Sequence, residues 1–227
     1  MIVLALYVHR QLHLENPVLN LRIFAIPAFR TGALLVMLDF GIILSAMYLL
    51  PMYLQKGLLL PVALTGIIML PGGAINAIVS AIAGRLFDRL GAKGPAMTGF
   101  IIALIGAIML ALSSSTSSVA YVIAAHIILM IGAPLAMSPA QTHALSALSG
   151  RESADGSTIM NTMQQIVGAI ATAVATSLLG LGTAAAATHN QAAAFTNGVH
   201  YGIYFTIILI VAALIITLGL KDKPKEA

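Results

Sequence analysis

Two long stretches of this chain contain no charged side chain, and they constrain its fold more than any other feature. Between Lys93 and Arg151 lie 57 residues without Asp, Glu, Lys or Arg, and between Asp155 and Lys221 lie another 65. A helix of about 20 apolar residues crosses the roughly 30 Å hydrocarbon core of a bilayer. Each stretch therefore predicts two membrane-spanning helices joined by a turn.

The composition excludes an ordinary soluble domain. Hydrophobic residues make up 59% of the chain and charged residues only 8%, against about 25% charged in soluble proteins. A membrane β-barrel would need segments of about ten residues that alternate between apolar and polar, and the sequence has no such pattern. The fold class is therefore expected to be an all-α membrane protein.

Six membrane spans can be drawn, and they are named A to F in chain order. Their predicted bounds are 31–54, 61–84, 94–112, 119–142, 158–182 and 199–220. The serine-rich run 113–118 divides the first uncharged stretch, because such side chains favour turns over helix continuation. The second stretch divides between 183 and 197, where the alanines are also able to extend a helix end.

The basic residues predict the orientation of these spans. Ten of them fall on one side of the membrane: Arg10, Arg22, Arg30, Arg85, Arg89, Lys93, Arg151, Lys221, Lys223 and Lys225. The other side receives Lys56 alone. Loops rich in Lys and Arg are cytoplasmic, so both termini and the B–C and D–E loops are expected in the cytoplasm. The net charge of +4 then reflects topology and a lipid partner, and no nucleic-acid partner is expected.

The amino-terminal residues suggest that the chain continues something longer. Residues 1–8 are apolar, but eight helical residues cover only about 12 Å. We expect them to be the end of a truncated upstream helix; a short membrane-dipping start is the alternative. Residues 9–30 are expected to form a cytoplasmic or interfacial linker, 31–220 the six-helix bundle and 221–227 a cytoplasmic tail.

The strongest short motif joins spans B and C, from Gly84 to Lys93. Glycines at 84 and 91 allow close helix approach and unusual backbone angles. A carboxylate at Asp88 is placed to cap an amphipathic turn or to pair with an arginine on a neighbouring helix. Such a junction can be broken and remade, so we expect a conformational switch here.

This segment resembles the loop motif of the major facilitator superfamily. Gly84, Asp88, Arg89, Gly91 and Lys93 match that motif, whereas Ala92 stands where a basic residue is usual. Family members carry the motif after the second helix of a half, and span B is the second span here. An ordinary basic cytoplasmic loop is the alternative.

Further segments resemble the fourteen-span drug:proton antiporter branch of that superfamily. They are 51–55 at the outer end of span A, Gly66 with 70–73 in span B, and Asn161, Gln164, Gln165 and Gly168 in span E. The resemblance implies that the chain corresponds to spans nine to fourteen, the carboxy-terminal half. It also implies proton-driven export of hydrophobic or cationic compounds, with the amino-terminal half absent.

Span A contains the one formally charged residue inside any predicted span, Asp39. A carboxylate in the bilayer core costs roughly 2.5–3.5 kcal/mol on insertion scales, so it is expected to face the bundle interior or water. Protonation removes that cost, which makes Asp39 a candidate for proton coupling. A structural hydrogen bond between helices near the cytoplasmic edge is the alternative.

Span D places His126, Met130, Met137 and Gln141 on one helical face. A histidine within a span can titrate near neutral pH, and methionines form an adaptable lining. His126 is thus a second proton-coupling candidate, and the other three are candidates for the substrate path. The alternative is a hydrogen-bonded packing histidine beside methionines that fill space. Two prolines, Pro134 and Pro139, are expected to bend this helix.

Spans E and B carry two further polar stripes. The amides Asn161, Gln164 and Gln165 can contact a substrate or bridge helices. Small residues recur in span B at Gly72, Asn76, Ser80 and Gly84, and we expect that stripe to be a close-packing or sliding face rather than a binding site.

Motifs of other chemistries are missing from the sequence. There are no cysteines, no His-Glu-x-x-His, Gly-x-Ser-x-Gly or phosphate-binding glycine loop, and no pair of histidines at ligand spacing inside one span. Neither an enzyme, a cofactor nor a metal site is therefore expected.

The resulting hypothesis is a six-helix bundle of two inverted three-helix repeats, A–C and D–F, forming the carboxy-terminal half of a secondary transporter in the cell membrane. In such transporters the substrate binds near the midplane where the two halves meet, so the missing half would be an essential partner. A gated channel or a non-transporting membrane scaffold is the alternative.

Overall fold

The computed structural model describes residues 20–220, which form six long helices without a β-strand in that range. The helices are α1 (Pro27–Met52), α2 (Val62–Leu90), α3 (Lys93–Ala111), α4 (Val119–Ser146), α5 (Arg151–Ala184) and α6 (Gln191–Leu218). All six are long and apolar enough to cross a membrane. The all-α membrane fold is thereby confirmed, with α1 to α6 in the order of spans A to F.

Two short helical turns flank α1. A 3₁₀ turn at Leu21–Ala25 precedes it, and a π-helical turn at Tyr53–Gly57 follows it. The expectations for residues 1–8, for 9–19 of the linker and for 221–227 lie outside the described residues.

Several helices extend beyond the predicted spans. The fifth begins at Arg151 instead of 158, the sixth at Gln191 instead of 199, and α2 continues to Leu90 instead of 84. Hydropathy marks the part of a helix that lies in lipid, whereas backbone hydrogen bonds and caps decide where the helix ends. At α6 the cap is Asn190, whose Oδ1 accepts hydrogen bonds from the amides of Ala192 and Ala193 at 3.0 and 3.1 Å.

The helix contacts follow the pattern of two repeats. The first helix packs against α4, α5 and α6, and α4 packs against α1, α2 and α3. In the two repeats, α1 corresponds to α4, α2 to α5 and α3 to α6. The contact between α1 and α5 therefore corresponds to that between α4 and α2. The contact between α1 and α6 corresponds to that between α4 and α3. One pair breaks the symmetry, because α5 and α6 pack closely whereas α2 and α3 meet only weakly.

Glycines bring α3 and α4 into backbone contact. A Cβ on Gly99 would lie 2.5 Å from the amide nitrogen of Ala136, and one on Gly106 would lie 2.5 Å from that of Leu129. A Cβ on Gly132 would overlap the amide nitrogen of Ala103. Small residues at this seam therefore set the distance between the two helices.

The two ends of the bundle differ in chemistry. The basic end holds the α2–α3 and α4–α5 turns, with Arg85, Arg89, Lys93 and Arg151. The serine end holds the 113–118 loop, where Tyr53 Oη donates to the Ser114 carbonyl at 2.6 Å and His200 Nε2 lies 2.7 Å from the Ser113 carbonyl. These contacts tie the end of α1 and the start of α6 to the α3–α4 loop.

Burial is distributed unevenly among the helices. Over the most apolar 18 residues of each helix, 61% are buried in α1, but only 17% in α2 and 22% in α5. The core therefore lies around α1 and α4, and the equivalent helices of the two repeats, α2 and α5, leave most of their surface uncovered.

Candidate functional site

A cavity of about 390 Å³ lies between α1, α2 and α4. Each helix contributes three residues: Phe40, Ile43 and Met47 from α1, Met69, Gly73 and Asn76 from α2, and His126, Met130 and Met137 from α4. Four of the nine are methionines, and none carries a formal charge. Because Met47 and Gly73 are exposed, the cavity opens on the surface of the described bundle.

The helix α4 supplies the most buried wall of this cavity. His126 and Met130 are both nearly fully buried. The imidazole edge of His126 lies directly on Gly72 of α2, where a Cβ would overlap the ring. One turn further, Asn76 Nδ2 lies 3.7 Å from the sulfur of Met130, a weak acceptor. The glycine at 72 therefore lets the ring reach the α2 backbone, and Asn76 presents its amide beside the methionines.

Asp39 is fully buried, and neither of its carboxylate oxygens has a hydrogen-bond partner among the described residues. Because α1 begins at Pro27 rather than at 31, this residue lies near the middle of the helix, about 18 Å along its axis. It points into the bundle rather than toward lipid. A buried, unsatisfied carboxylate is rare in proteins and calls for a functional explanation.

The position of Asp39 on α1 relates it to the cavity. Residues 32, 39 and 43 share one helical face. On that face a Cβ at Gly32 would lie 2.7 Å from the Ala140 carbonyl of α4, and Ile43 lines the cavity. The carboxylate thus lies on the α1 side that packs against α4, about 6 Å along the helix axis from the lining residue Ile43.

The structure separates the other predicted substrate-path residues from this cavity. His126, Met130 and Met137 line it together, but Gln141 lies one turn beyond toward the basic end and does not. On α5, Gln164 is buried, while Asn161 and Gln165 are exposed. The amides predicted to form one stripe of span E therefore lie on two different faces of α5, one buried and the other exposed.

Hydroxyl groups on α5 bond to their own helix. Thr172 donates to the Gly168 carbonyl at 2.9 Å, and Thr176 donates to the Thr172 carbonyl at 2.7 Å. Gly168 receives the ring of Phe40, because a Cβ there would lie 3.0 Å from a ring carbon. The hydroxyl groups therefore bond to carbonyls of α5 itself, whereas Gly168 allows α5 to pack closely against α1.

The loop motif is a helix end followed by a two-residue turn. Its first part, with Gly84, Asp88 and Arg89, lies within α2, and Gly91 ends the helix with a φ of 77°, a conformation that favours glycine. Lys93 begins α3 and donates from Nζ to the Leu218 carbonyl at the end of α6, at 2.9 Å. The motif therefore connects three helices at the basic end.

Capping by Asp88 and close helix approach at Gly84 do not fit the structure, whereas pairing of Asp88 with an arginine on a neighbouring helix stays a prediction. Asp88 lies in the last turn of α2, so it caps neither that helix nor α3, whose N-cap is Ala92. An acidic group there opposes the helix dipole. The Cβ position of Gly84 has only Ser138 Oγ nearby, at 3.9 Å, so this glycine makes no close helix contact within the described range.

Most of the cavity wall on α1 and α2 is formed by residues that the sequence pattern does not single out. Phe40, Ile43 and Met47 recur at helical spacing, a signal that was available but is common in apolar helices. The small-residue pattern of span B assigns Asn76 to a packing stripe. That assignment fits Gly72, which packs on His126, but not Asn76, which lines the cavity.

The side chains that line the cavity indicate what it could bind. No group of three or more His, Cys, Asp or Glu residues that could hold a metal ion occurs in residues 20–220. The cavity presents thioethers, one amide, one imidazole and an aromatic ring. Such a wall suits an apolar small molecule with few polar groups.

The chain is similar in sequence to several proteins whose names refer to drug resistance. LmrB of Listeria monocytogenes, a lincomycin resistance protein, is 37% identical over 97% of this chain and 48% of its own length. LmrB of Bacillus subtilis is 39% identical over 93% of this chain and 46% of its own length. The multidrug resistance protein Stp of Mycobacterium tuberculosis is 29% identical over 77% of this chain and 32% of its own length.

The chain thus spans about half the length of the LmrB proteins it matches. The family model described as Major Facilitator Superfamily matches residues 8–172, which include the cavity, Asp39 and the loop motif. The match agrees with the resemblance seen in that motif and with the six-helix fold. By its sequence, its helices and its relatives, the chain belongs to the Major Facilitator Superfamily.

Proposed function

We propose that this chain is the carboxy-terminal half of a proton-coupled transporter that exports hydrophobic or cationic small molecules by alternating access. The observation that carries the proposal is Asp39, a fully buried carboxylate next to an apolar cavity and without a hydrogen-bond partner in the described part of the chain. The names of the relatives, which refer to lincomycin and multidrug resistance, support export of drugs.

Proton coupling follows from the cost of burying a charge. An ionised carboxylate in an apolar interior is unfavourable, and protonation removes that cost. A movement of α1 relative to α4 that opened this face to water would let Asp39 ionise. Binding and release of the proton would then favour different arrangements of the two helices. His126, on the facing helix, is placed to sense the same movement.

The partner of this half would be an amino-terminal half that covers α2 and α5. These helices are the least buried in the bundle, and Asn161 and Gln165 on α5 are exposed amides. Amide groups are unfavourable against lipid tails, so a protein surface or a water-filled passage is the better neighbour. The basic end would face the cytoplasm of the cell that carries the transporter in its membrane.

A chimeric transporter tests the proposal directly. Residues 1–227 would replace the matching segment of Bacillus subtilis LmrB, and lincomycin export would be measured in proteoliposomes under an imposed pH gradient. Asp39→Asn keeps the shape of the side chain but cannot exchange the proton, so export driven by the gradient is expected to fall by at least about tenfold.

The control is Ser45→Ala, a buried polar residue on the same helix whose hydroxyl donates to the Gly41 carbonyl at 2.7 Å. This variant is expected to retain export. Unchanged gradient-driven export by Asp39→Asn would make Asp39 structural. Export by vesicles that contain only the 227-residue chain would contradict its assignment as a half, and ion flux at channel rates without proton dependence would favour a channel.

A further inference from the structure

The charges around the cavity are the starting point for a narrower statement about its ligand. None of the nine lining residues is acidic. Asp39 precedes Phe40 in sequence, but its side chain is fully buried and does not reach the cavity surface. His126 is the one titratable lining residue, and its protonation would only add positive charge. In either state, the wall offers no anion to a cationic ligand.

The apolar part of the wall favours aromatic ligands. Met47, Met69, Met130 and Met137 place four thioethers around one cavity, with Phe40 beside them. Thioether sulfur interacts favourably with aromatic rings, and the unbranched side chain adapts to ligands of different outline. The volume, about 390 Å³, lies at the lower end of the range for small-molecule sites.

Asn76 is the one amide in the wall. Among residues 20–220, the hydrogen-bond acceptor of its Nδ2 is the sulfur of Met130 alone, at 3.7 Å, which is a weak acceptor. The amide is therefore able to exchange that contact for a stronger hydrogen bond with a hydroxyl or carbonyl group of a ligand.

We propose that this cavity binds uncharged aromatic molecules that carry one hydrogen-bonding group, and that Asn76 anchors that group. This inference rests on the proposed function, because it assigns the ligand class of the same cavity. A permanent cation is disfavoured, since it would lose its hydration without gaining an anionic partner.

The test compares a matched pair of probes on the 227-residue chain in lipid nanodiscs. The probes are 6-tert-butyl-2-naphthol and its analogue in which a trimethylammonium group replaces the tert-butyl group. The two molecules have nearly the same shape but differ by one charge. Binding is followed by NMR of ¹³C-methyl methionine, with the signals of Met130 and Met137 assigned by single Met→Leu substitutions. Probe concentrations are expressed as the mole fraction of probe in the bilayer. Different partition of the two probes into the lipid then does not affect the comparison of their affinities.

The neutral naphthol is expected to shift both methyl signals at a concentration at least about tenfold lower than the quaternary probe. Asn76→Leu should weaken naphthol binding about tenfold without weakening 2-tert-butylnaphthalene, which lacks the hydroxyl. Ser80→Leu, one turn along the same helix and exposed, is the control and should change neither affinity. Circular dichroism confirms that each variant is folded.

Each contrary result has its own meaning. Equal or tighter binding of the quaternary probe would overturn the charge preference, while the cavity of the proposed function would stand. Unchanged naphthol affinity in Asn76→Leu would overturn the anchoring role. If no probe shifted the Met130 and Met137 signals, the cavity would not be a ligand site, and both this inference and the cavity's part in the proposed function would fail.

Discussion

At the scale of single residues, the site depends on side chains that lack their usual partners. Among the described residues, the buried carboxylate of Asp39 has no hydrogen-bond partner, and the amide of Asn76 donates only to a thioether. Both arrangements are unfavourable in a protein selected for stability alone. Both arrangements fit the proposed roles, in which Asp39 binds a proton and Asn76 binds a ligand.

The contact between Gly72 and His126 gives the first prediction at this scale. In Gly72→Ala the new methyl group would overlap the imidazole, so the ring must move and change the cavity wall. We expect a clear displacement of the His126 ring signals in NMR of the chain with labelled histidine. Gly66→Ala, on the same helix and with nothing within 4 Å of its Cβ, should leave them in place; an equal shift in both variants would contradict the assigned contact.

At the scale of elements, the α3–α4 seam is the most closely packed part of the bundle. Glycines on both helices allow backbone atoms to meet. In lipid no hydrophobic driving force holds two apolar helices together, so their association depends on such close packing. This seam joins α4, which carries the cavity wall, to the rest of the bundle.

A methyl group at Gly132 is therefore predicted to be costly. Its Cβ would overlap backbone atoms of Ala103 on α3, which cannot rotate away. We expect Gly132→Ala to lower the free energy of unfolding by about 1–3 kcal/mol, measured as a fall in melting temperature in detergent. For comparison, Gly180→Ala on α5 meets nothing within 4 Å and should be neutral or stabilising by up to about 1 kcal/mol. A stable Gly132→Ala would mean that the seam is looser than described.

The spacing of residues in the sequence predicts part of the cavity wall but not all of it. The spacing of His126, Met130 and Met137 correctly placed them on one side of α4, because a helix fixes the angle between successive residues. It could not place Asn76 in the cavity or Asn161 outside it, because the rotation of one helix against another is not encoded in spacing. In a soluble protein the apolar stripe would reveal the inner face, but a helix in lipid is apolar on every side.

At the scale of the whole molecule, the uncovered helices α2 and α5 define where another protein surface is expected. They are equivalent in the two repeats and are the least buried of the six. Small residues such as Ala77 lie exposed on α2, which suits close approach of further helices.

Ala77→Trp is predicted to separate folding from assembly. Since Ala77 is exposed, the chain alone should keep its melting temperature. Copurification with a separately expressed amino-terminal half of Bacillus subtilis LmrB should be strongly reduced, because the indole would hold the halves apart. Ile208→Trp on α6, where the native side chain is 64% exposed, serves as the control and should copurify normally. Equal copurification of both variants would contradict an interface on α2.

The sequence by itself determined that this is a membrane protein of six helices, that their ends alternate between a basic and a serine-rich side, and that its loop motif resembles one family. Hydropathy, charge and motif spacing depend only on the order of residues along the chain, so they can be evaluated without knowing which residues are in contact. The tertiary structure decided which side chains share the cavity and that Asp39 has no hydrogen-bond partner within residues 20–220. Those facts depend on how residues far apart in sequence, such as Gly72 and His126, meet when α2 and α4 pack, and the lipid leaves no hydrophobic contrast from which that packing could be inferred.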